Sequence, residues 1–99
     1  MYDLIDRTIV SKIIDHAQQC GGWPSGWYVG IASDVRQRLF SDHNVNEHTG
    51  CWIYEKASSE AAARATEAAL LRYGCKGGRG GGVNPRYVYA YRITSNTRE

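Results

Sequence analysis

Three stretches typical of β-strands, each preceded by a stretch typical of an α-helix, most constrain how this chain can fold. The strand-like stretches are rich in aromatic and β-branched residues and cover residues 27–32, 51–56 and 87–93. The helical stretches carry apolar residues at intervals of three and four and cover residues 3–19, 34–42 and 58–73. The order α-β-α-β-α-β predicts an α+β fold, a small two-layer sandwich in which helices cover a three-stranded sheet.

Turn-forming residues separate these elements. Asp3 is placed to cap the first helix, which ends by residue 20 because two glycines and Pro24 follow. The glycine-rich stretch 77–82 predicts a flexible loop before the last strand, and residues 94–99 are expected to form a frayed tail. No internal repeat is present, so the 99 residues are expected to form one domain with a modest core.

The composition is that of a folded domain with a mild preference for polyanions. Apolar residues make up 42% of the sequence and the formal net charge is +2, which favours a globular fold over a disordered chain. This charge is well below the basic footprint of a dedicated nucleic-acid binder. We find neither an apolar run of membrane-spanning length nor a secretory signal, so the sequence predicts no membrane association and a cytoplasmic location.

The three cysteines cannot all pair with one another, which leaves at least one free thiol. They are Cys20, Cys51 and Cys75. Free thiols in a reducing cytoplasm are the simplest expectation. A zinc site shared with a histidine is the alternative, although none of the three belongs to a close pair such as CxxC.

Glu67 is the strongest chemical clue in the sequence. It lies four residues after Ala63 and three before Leu70, so it falls within the apolar stripe of the third helix. A lone buried carboxylate is costly and needs an arginine, a metal ion or a hydrogen-bond network as its partner. An ion pair with Arg38 or Arg64 that only holds the fold, or a roll of the helix that exposes the carboxylate, are the alternatives.

Three further residues carry groups suited to phosphate chemistry. The Arg38 guanidinium can hold two phosphate oxygens at once. The Tyr28 phenol can orient an attacking water, beside Gly30, where the missing side chain leaves room for a ligand. His43 can donate to a phosphate or a leaving oxygen. The structural alternatives are a solvated arginine, a packing tyrosine and a histidine that complements a helix end.

Together these residues resemble the GIY-YIG nuclease family. The tripeptide 28–30, Tyr-Val-Gly, looks like the second motif of that family. Arg38 follows the glycine by eight residues, where the family carries its catalytic arginine, and His43 lies close to the family's helix histidine. The stretch 63–74 is similar to the helix that bears the metal-binding glutamate, and Asn84 resembles a downstream asparagine found in many members.

The resemblance covers residues 26–90 and implies a phosphodiester hydrolase that uses one divalent cation, Mg²⁺ or Mn²⁺. By this analogy Glu67 holds the metal, Arg38 steadies the scissile phosphate, Tyr28 and a second tyrosine position or activate water, and His43 completes the catalytic set. The residues expected to contact nucleic acid are Gly30, Arg36, Arg64 and Asn84. The expected substrate is DNA in preference to RNA, and a protein partner could supply targeting.

The family's first motif, Gly-Ile-Tyr, has no strand of its own upstream of Tyr28. Two arrangements could replace it. Gly26-Trp27-Tyr28 could fuse the first motif into the second, or the last strand could take the vacant position in the sheet, with Tyr89 or Tyr91 as the second tyrosine. The alternative function is a domain of this fold that binds nucleic acid or a protein without cutting.

Overall fold

A computed structural model describes residues 4–78 and 84–99 of the chain. Its elements, in chain order, are α1 (Arg7–Cys20), β1 (Trp27–Ala32), a π-helical turn (Gln37–Asp42), β2 (Trp52–Lys56), α2 (Glu60–Leu71) and β3 (Tyr87–Arg92). The predicted α+β class and three-stranded sheet are confirmed. Asp3 and most of the glycine loop predicted at 77–82 lie outside the described residues.

The sheet is antiparallel and has the strand order β1-β3-β2. The last strand of the sequence is therefore the central strand, paired on both sides. In its register with β1, Tyr91 lies opposite Tyr28 and Tyr89 lies opposite Gly30. On the other side, Tyr89 lies opposite Tyr54. The register of β3 thus determines which side chains of β1 and β2 lie next to its tyrosines.

Strand alternation gives the sheet two different faces. On one face, α1 and α2 cover an aliphatic core that includes Val29, Val88 and Leu70. The opposite face carries the tyrosines of β1 and β3 and is covered by the segment 35–45. The predicted arrangement of two layers describes only the first face of the sheet. The second face is covered as well, because the apolar residues of the segment 35–45 are buried against it.

Local capping explains where the helices begin. The Asp6 carboxylate accepts a hydrogen bond from the Ile9 N–H (3.1 Å) and caps α1, in place of the predicted Asp3. The Ser59 hydroxyl accepts one from the Ala62 N–H (3.1 Å) and caps α2. The second helix differs from an ordinary α-helix, because the His43 N–H donates to the Arg38 carbonyl five residues earlier (2.9 Å).

A disulfide joins Cys20, the last residue of α1, to Cys51, which precedes β2. The expectation of free thiols is therefore wrong for these two residues and holds for Cys75, which is free and buried. Packing of α1 against the sheet brings the two Cα atoms to 6.3 Å, within the range that a disulfide requires. Among the helices of the described residues, none has the length and apolar character needed to cross a membrane.

Candidate functional site

Four rings form the centre of the candidate site: Tyr28, His43, Tyr89 and Tyr91, called here the ring cluster. The Tyr28 centroid lies 4.7 Å from that of His43 and 5.2 Å from that of Tyr91. The His43 centroid lies 5.5 Å from that of Tyr89 and 4.8 Å from that of Tyr91. All four residues are buried. Burial raises the pKa of each phenol and lowers the pKa of His43, so the cluster is uncharged at neutral pH.

His43 has hydrogen-bond partners on both ring nitrogens. Its Nδ1 lies 2.6 Å from the carbonyl oxygen of Arg98, and its Nε2 lies 2.7 Å from the Tyr89 hydroxyl. The Tyr91 hydroxyl donates to the same Arg98 carbonyl (3.1 Å). The sequence predicted a phosphate donor or a partner for a helix end, whereas the structure places this imidazole inside a network of protein groups.

The segment Thr94–Glu99, called here the C-terminal strap, folds back over the ring cluster, although the sequence predicts a frayed tail. A turn closed by the Thr97 N–H donating to the Thr94 carbonyl (3.3 Å) reverses the chain. The Asn44 side chain donates to the Asn96 carbonyl (2.9 Å), and the Arg98 N–H donates to the His43 carbonyl (2.7 Å). The strap is therefore tied to the residues that follow the π-helical turn.

Glu67 and Arg38 both act electrostatically on Tyr28. Glu67 raises the pKa of the Tyr28 phenol and Arg38 lowers it, beside the larger effect of burial. Partial burial also raises the pKa of the Glu67 carboxyl, and Arg64 opposes this shift. Arg38 is partly exposed and forms an ion pair with Asp42 (3.4 Å). Of the four predicted catalytic residues, Tyr28 and His43 are in ring contact, and the charges of Arg38 and Glu67 both affect the pKa of the Tyr28 phenol.

Gly30 leaves room for the Tyr89 ring, which fills the space that a ligand would need. A Cβ built at this position would lie 2.5 Å from the Tyr89 hydroxyl oxygen and 2.6 Å from its Cζ. The room expected for a ligand backbone is therefore filled by the phenol of the neighbouring strand. The reason is the register of β1 and β3, which sets Tyr89 directly opposite Gly30.

We expect Gly30→Ala to destabilise the protein by roughly 1–3 kcal/mol, because the added methyl group overpacks a buried ring. The Tyr89 ring cannot move without loss of its hydrogen bond to His43. Chemical denaturation of the two proteins measures the difference. A matched pair in the Tyr89→Leu background completes a double-mutant cycle, in which the cost of Gly30→Ala should shrink. An equal cost in both backgrounds would mean that Tyr89 is not the obstacle.

The other predicted nucleic-acid contacts lie away from the ring cluster or at its margin. Arg36 is exposed, pairs with Glu47 and lies over the Phe40 ring, 5.0 Å from its centroid. Arg64 is exposed and pairs with Glu60 (2.8 Å). Asn84 is exposed and has a positive φ of 52°, a conformation that asparagine tolerates better than most residues. The two arginines are available to a ligand only at the expense of these ion pairs.

Sequence reasoning missed two parts of the site that belong to the backbone. One is the Arg98 carbonyl, which contacts both His43 and Tyr91. The other is Gly78, whose backbone lowers the pKa of the Tyr28 phenol. Every residue carries these same groups, so no side-chain pattern marks them. The alternating tyrosines of β3 were the available signal for Tyr89 and Tyr91.

Glu67 has the character expected of a cation ligand. No ion pair between residues in the described ranges includes its carboxylate, and burial disfavours its charge, so a cation would improve its environment. Among the described residues, no three His, Cys, Asp or Glu side chains lie close enough together to hold a metal ion between them. Mg²⁺ is often held by one or two carboxylates and several waters, so a single glutamate fits such a site. The zinc alternative fails because Cys20 and Cys51 are joined to each other.

One cavity between described residues lies away from the ring cluster. It has a volume of about 530 Å³ and lies beside the C-terminal strap, lined by residues that include Asn46, Arg92 and Thr97. The Tyr28 hydroxyl instead adjoins Gly78, where a Cβ would lie 2.8 Å from the phenol oxygen. We assign the candidate site from the chemistry around Tyr28, since cavity size alone does not indicate a reaction.

Comparison with known proteins gives no match to a family model, to a curated protein or to a solved structure.

Proposed function

We propose that this protein is a metal-dependent nuclease of GIY-YIG type that hydrolyses phosphodiester bonds in DNA or RNA. One observation carries the proposal: the Tyr28 ring lies against that of His43, with 4.7 Å between the centroids, and the charges of Glu67 and Arg38, on different elements, both affect the pKa of the Tyr28 phenol. A carboxylate for a cation, a guanidinium for a phosphate and a phenol for a water are the groups that this chemistry requires. Their convergence supports a reaction centre more than a set of unrelated surface charges.

The position of β3 supports the second of the two arrangements that could replace the missing first motif. As the central strand, β3 places Tyr89 opposite Gly30 and Tyr91 opposite Tyr28. We infer that the last strand stands where the family has its first-motif strand, so the chain carries the same parts in a different order. Tyr89 is the better candidate for the second tyrosine, because its hydroxyl is hydrogen-bonded to the His43 imidazole (2.7 Å).

In the proposed reaction, a cation held by Glu67 would supply Lewis acidity toward the phosphate. The other roles belong to the chain itself. Arg38, only partly occupied by its ion pair with exposed Asp42, binds the scissile phosphate and stabilises the charge that develops on it. Tyr28 orients the attacking water, and the pair formed by Tyr89 and His43 provides a route for its proton.

Incubation of the protein with supercoiled plasmid, and with single- and double-stranded DNA and RNA oligonucleotides, tests this function. We expect cleavage with Mg²⁺ or Mn²⁺ and none in EDTA, and comparison of the substrates identifies the preferred nucleic acid. A chemical-shift titration with Mg²⁺ should move the signals of Glu67 and its neighbours. Substrates that stay intact with both metals would refute the proposal.

A second function, binding of nucleic acid or a protein without cleavage, is favoured by the depth of the ring cluster. Tyr28 is 7% exposed and Tyr89 only 1%, and burial disfavours the phenolate form of both. A mobility shift on intact DNA or RNA, with no product in any metal, is the result that distinguishes this function from the nuclease.

The compartment in which either function operates is open to test. The sequence predicts a cytoplasmic location from the lack of a visible secretory signal and from free thiols. The disulfide between Cys20 and Cys51 removes the second reason, since such bonds form and persist mainly in oxidising compartments.

A further inference from the structure

We propose that the C-terminal strap positions His43 for the proposed reaction, by fixing the ring proton on Nδ1 through the backbone carbonyl of Arg98. This role in the reaction rests on the proposed function. The position of the proton on His43 can be tested whether or not the protein is a nuclease. The strap would then be part of the site, because one of its backbone carbonyl groups determines which nitrogen of the His43 ring carries the proton.

The proton position follows from what each partner can do. A carbonyl oxygen only accepts hydrogen bonds, so the Nδ1 that lies 2.6 Å from the Arg98 oxygen carries the proton. The Tyr91 hydroxyl, 3.1 Å from the same Nδ1, donates to that carbonyl and is left to accept from Nδ1. In a neutral imidazole the other nitrogen then has a free lone pair. The Tyr89 hydroxyl, 2.7 Å from Nε2, must therefore donate to it. The result is a directed chain from Tyr89 through His43 to the Arg98 carbonyl.

The surroundings of His43 favour the neutral imidazole. The phenols of Tyr28, Tyr89 and Tyr91 face it from the sheet, and none of them carries a charge at neutral pH. Burial lowers the pKa of His43 most, and Arg38 lowers it further. The hydrogen bond to the Arg98 carbonyl, Asp42 and Glu99 raise it, and the net effect is a lowered pKa. The Nε2 lone pair thus accepts the hydrogen bond of the Tyr89 hydroxyl and holds that hydroxyl in position.

The strap can be loosened at one position without a change of chain length. The Arg98 N–H donates to the His43 carbonyl (2.7 Å), and Arg98→Pro removes that donor and restricts the preceding residue. Arg98→Ala keeps both backbone groups and is the matched control. Nitrogen-15 spectra of histidine-labelled protein report the proton position, with His43→Gln used to assign the signals among the three histidines.

We expect the unmodified protein and Arg98→Ala to show His43 with Nδ1 protonated and Nε2 unprotonated at pH 7. Arg98→Pro should show mixed protonation of the two nitrogens, with retained amide dispersion, and cleavage lowered by roughly 10²-fold. Protonated Nε2 in the unmodified protein, or an Arg98→Pro spectrum identical to it, would overturn the proposal. If no variant cleaves any substrate, the proposed nuclease function fails, while the nitrogen spectra still decide the effect of the strap on His43.

Discussion

Replacement of Glu67 by glutamine is expected to lower the rate of cleavage by about 10³-fold, equivalent to roughly 4 kcal/mol of transition-state stabilisation. Glutamine keeps the size and hydrogen-bonding capacity of the side chain but removes the charge that would hold the cation. Initial rates on plasmid at saturating Mg²⁺ measure the effect. The Mg²⁺-dependent chemical-shift changes near residue 67 should disappear in the same variant.

The same substitution should leave the fold intact and raise its stability at neutral pH. Burial raises the pKa of Glu67 in the folded protein, so the folded state binds this proton more tightly than the unfolded chain. The associated stability is present below the ordinary glutamate pKa of about 4.3 and is lost as the pH rises through the higher folded value. In EDTA, the free energy of unfolding of Glu67→Gln should therefore increase relative to that of the unmodified protein as the pH rises from 4 to 7.

Glu60→Gln is the matched control, since Glu60 lies in the first turn of the same helix and pairs with Arg64 on the surface. Its cleavage rate should stay within about twofold of the unmodified protein, because an exposed ion pair of this kind contributes little. Equal losses of cleavage rate in the two variants would show that any change of charge on α2 impairs the protein. An active Glu67→Gln protein would remove Glu67 from the reaction centre.

Loss of the disulfide between Cys20 and Cys51 is expected to lower the free energy of unfolding by roughly 3–4 kcal/mol, on a chain-entropy estimate for a loop of about this length. The two cysteines are separated by 31 residues, a third of the chain, so the bond excludes many unfolded conformations. Urea denaturation of the oxidised protein, the reduced protein and Cys51→Ala measures the change. The last two should agree with each other.

Cys75 provides the control for this experiment. Its thiol is free, buried and donates to the Leu70 carbonyl (3.1 Å), and burial raises its pKa to about 11, so it reacts slowly with thiol reagents. Cys75→Ala should lose as much stability on reduction as the unmodified protein does. A denaturation midpoint that does not respond to reductant would mean that Cys20 and Cys51 are not joined in solution.

The local elements of this fold are predictable because their causes are local. The periodicity of 60–71, the serine before it and the glycine after it place α2 within a residue or two. The alternation of tyrosines in β3 likewise predicts a strand with one aromatic face. The order of the strands in the sheet is not predictable in this way, because β3 pairs with segments far away in the sequence and nothing local states which of them is its neighbour.

The same distinction between local and tertiary causes applies to the candidate site. The chemical character of Tyr28, Arg38, His43 and Glu67 is evident from residue type and spacing, and the rings of Tyr28 and His43 are in contact. The roles of Gly30 and Arg98 could not be predicted, because one depends on a ring from another strand and the other on a carbonyl that every residue has. The pairing of the cysteines is of the same kind, since three cysteines allow three pairings.

By itself the sequence determined the elements, the apolar faces that bury them and the reactive groups that they carry, since propensity, capping and periodicity act over a few residues. Only the tertiary structure decided that β3 lies in the middle of the sheet, that Tyr89 fills the space above Gly30, and that the Arg98 carbonyl meets His43. These contacts join residues 31 or more positions apart along the chain. They arise where separate elements bury their surfaces against one another, which no short stretch of sequence specifies.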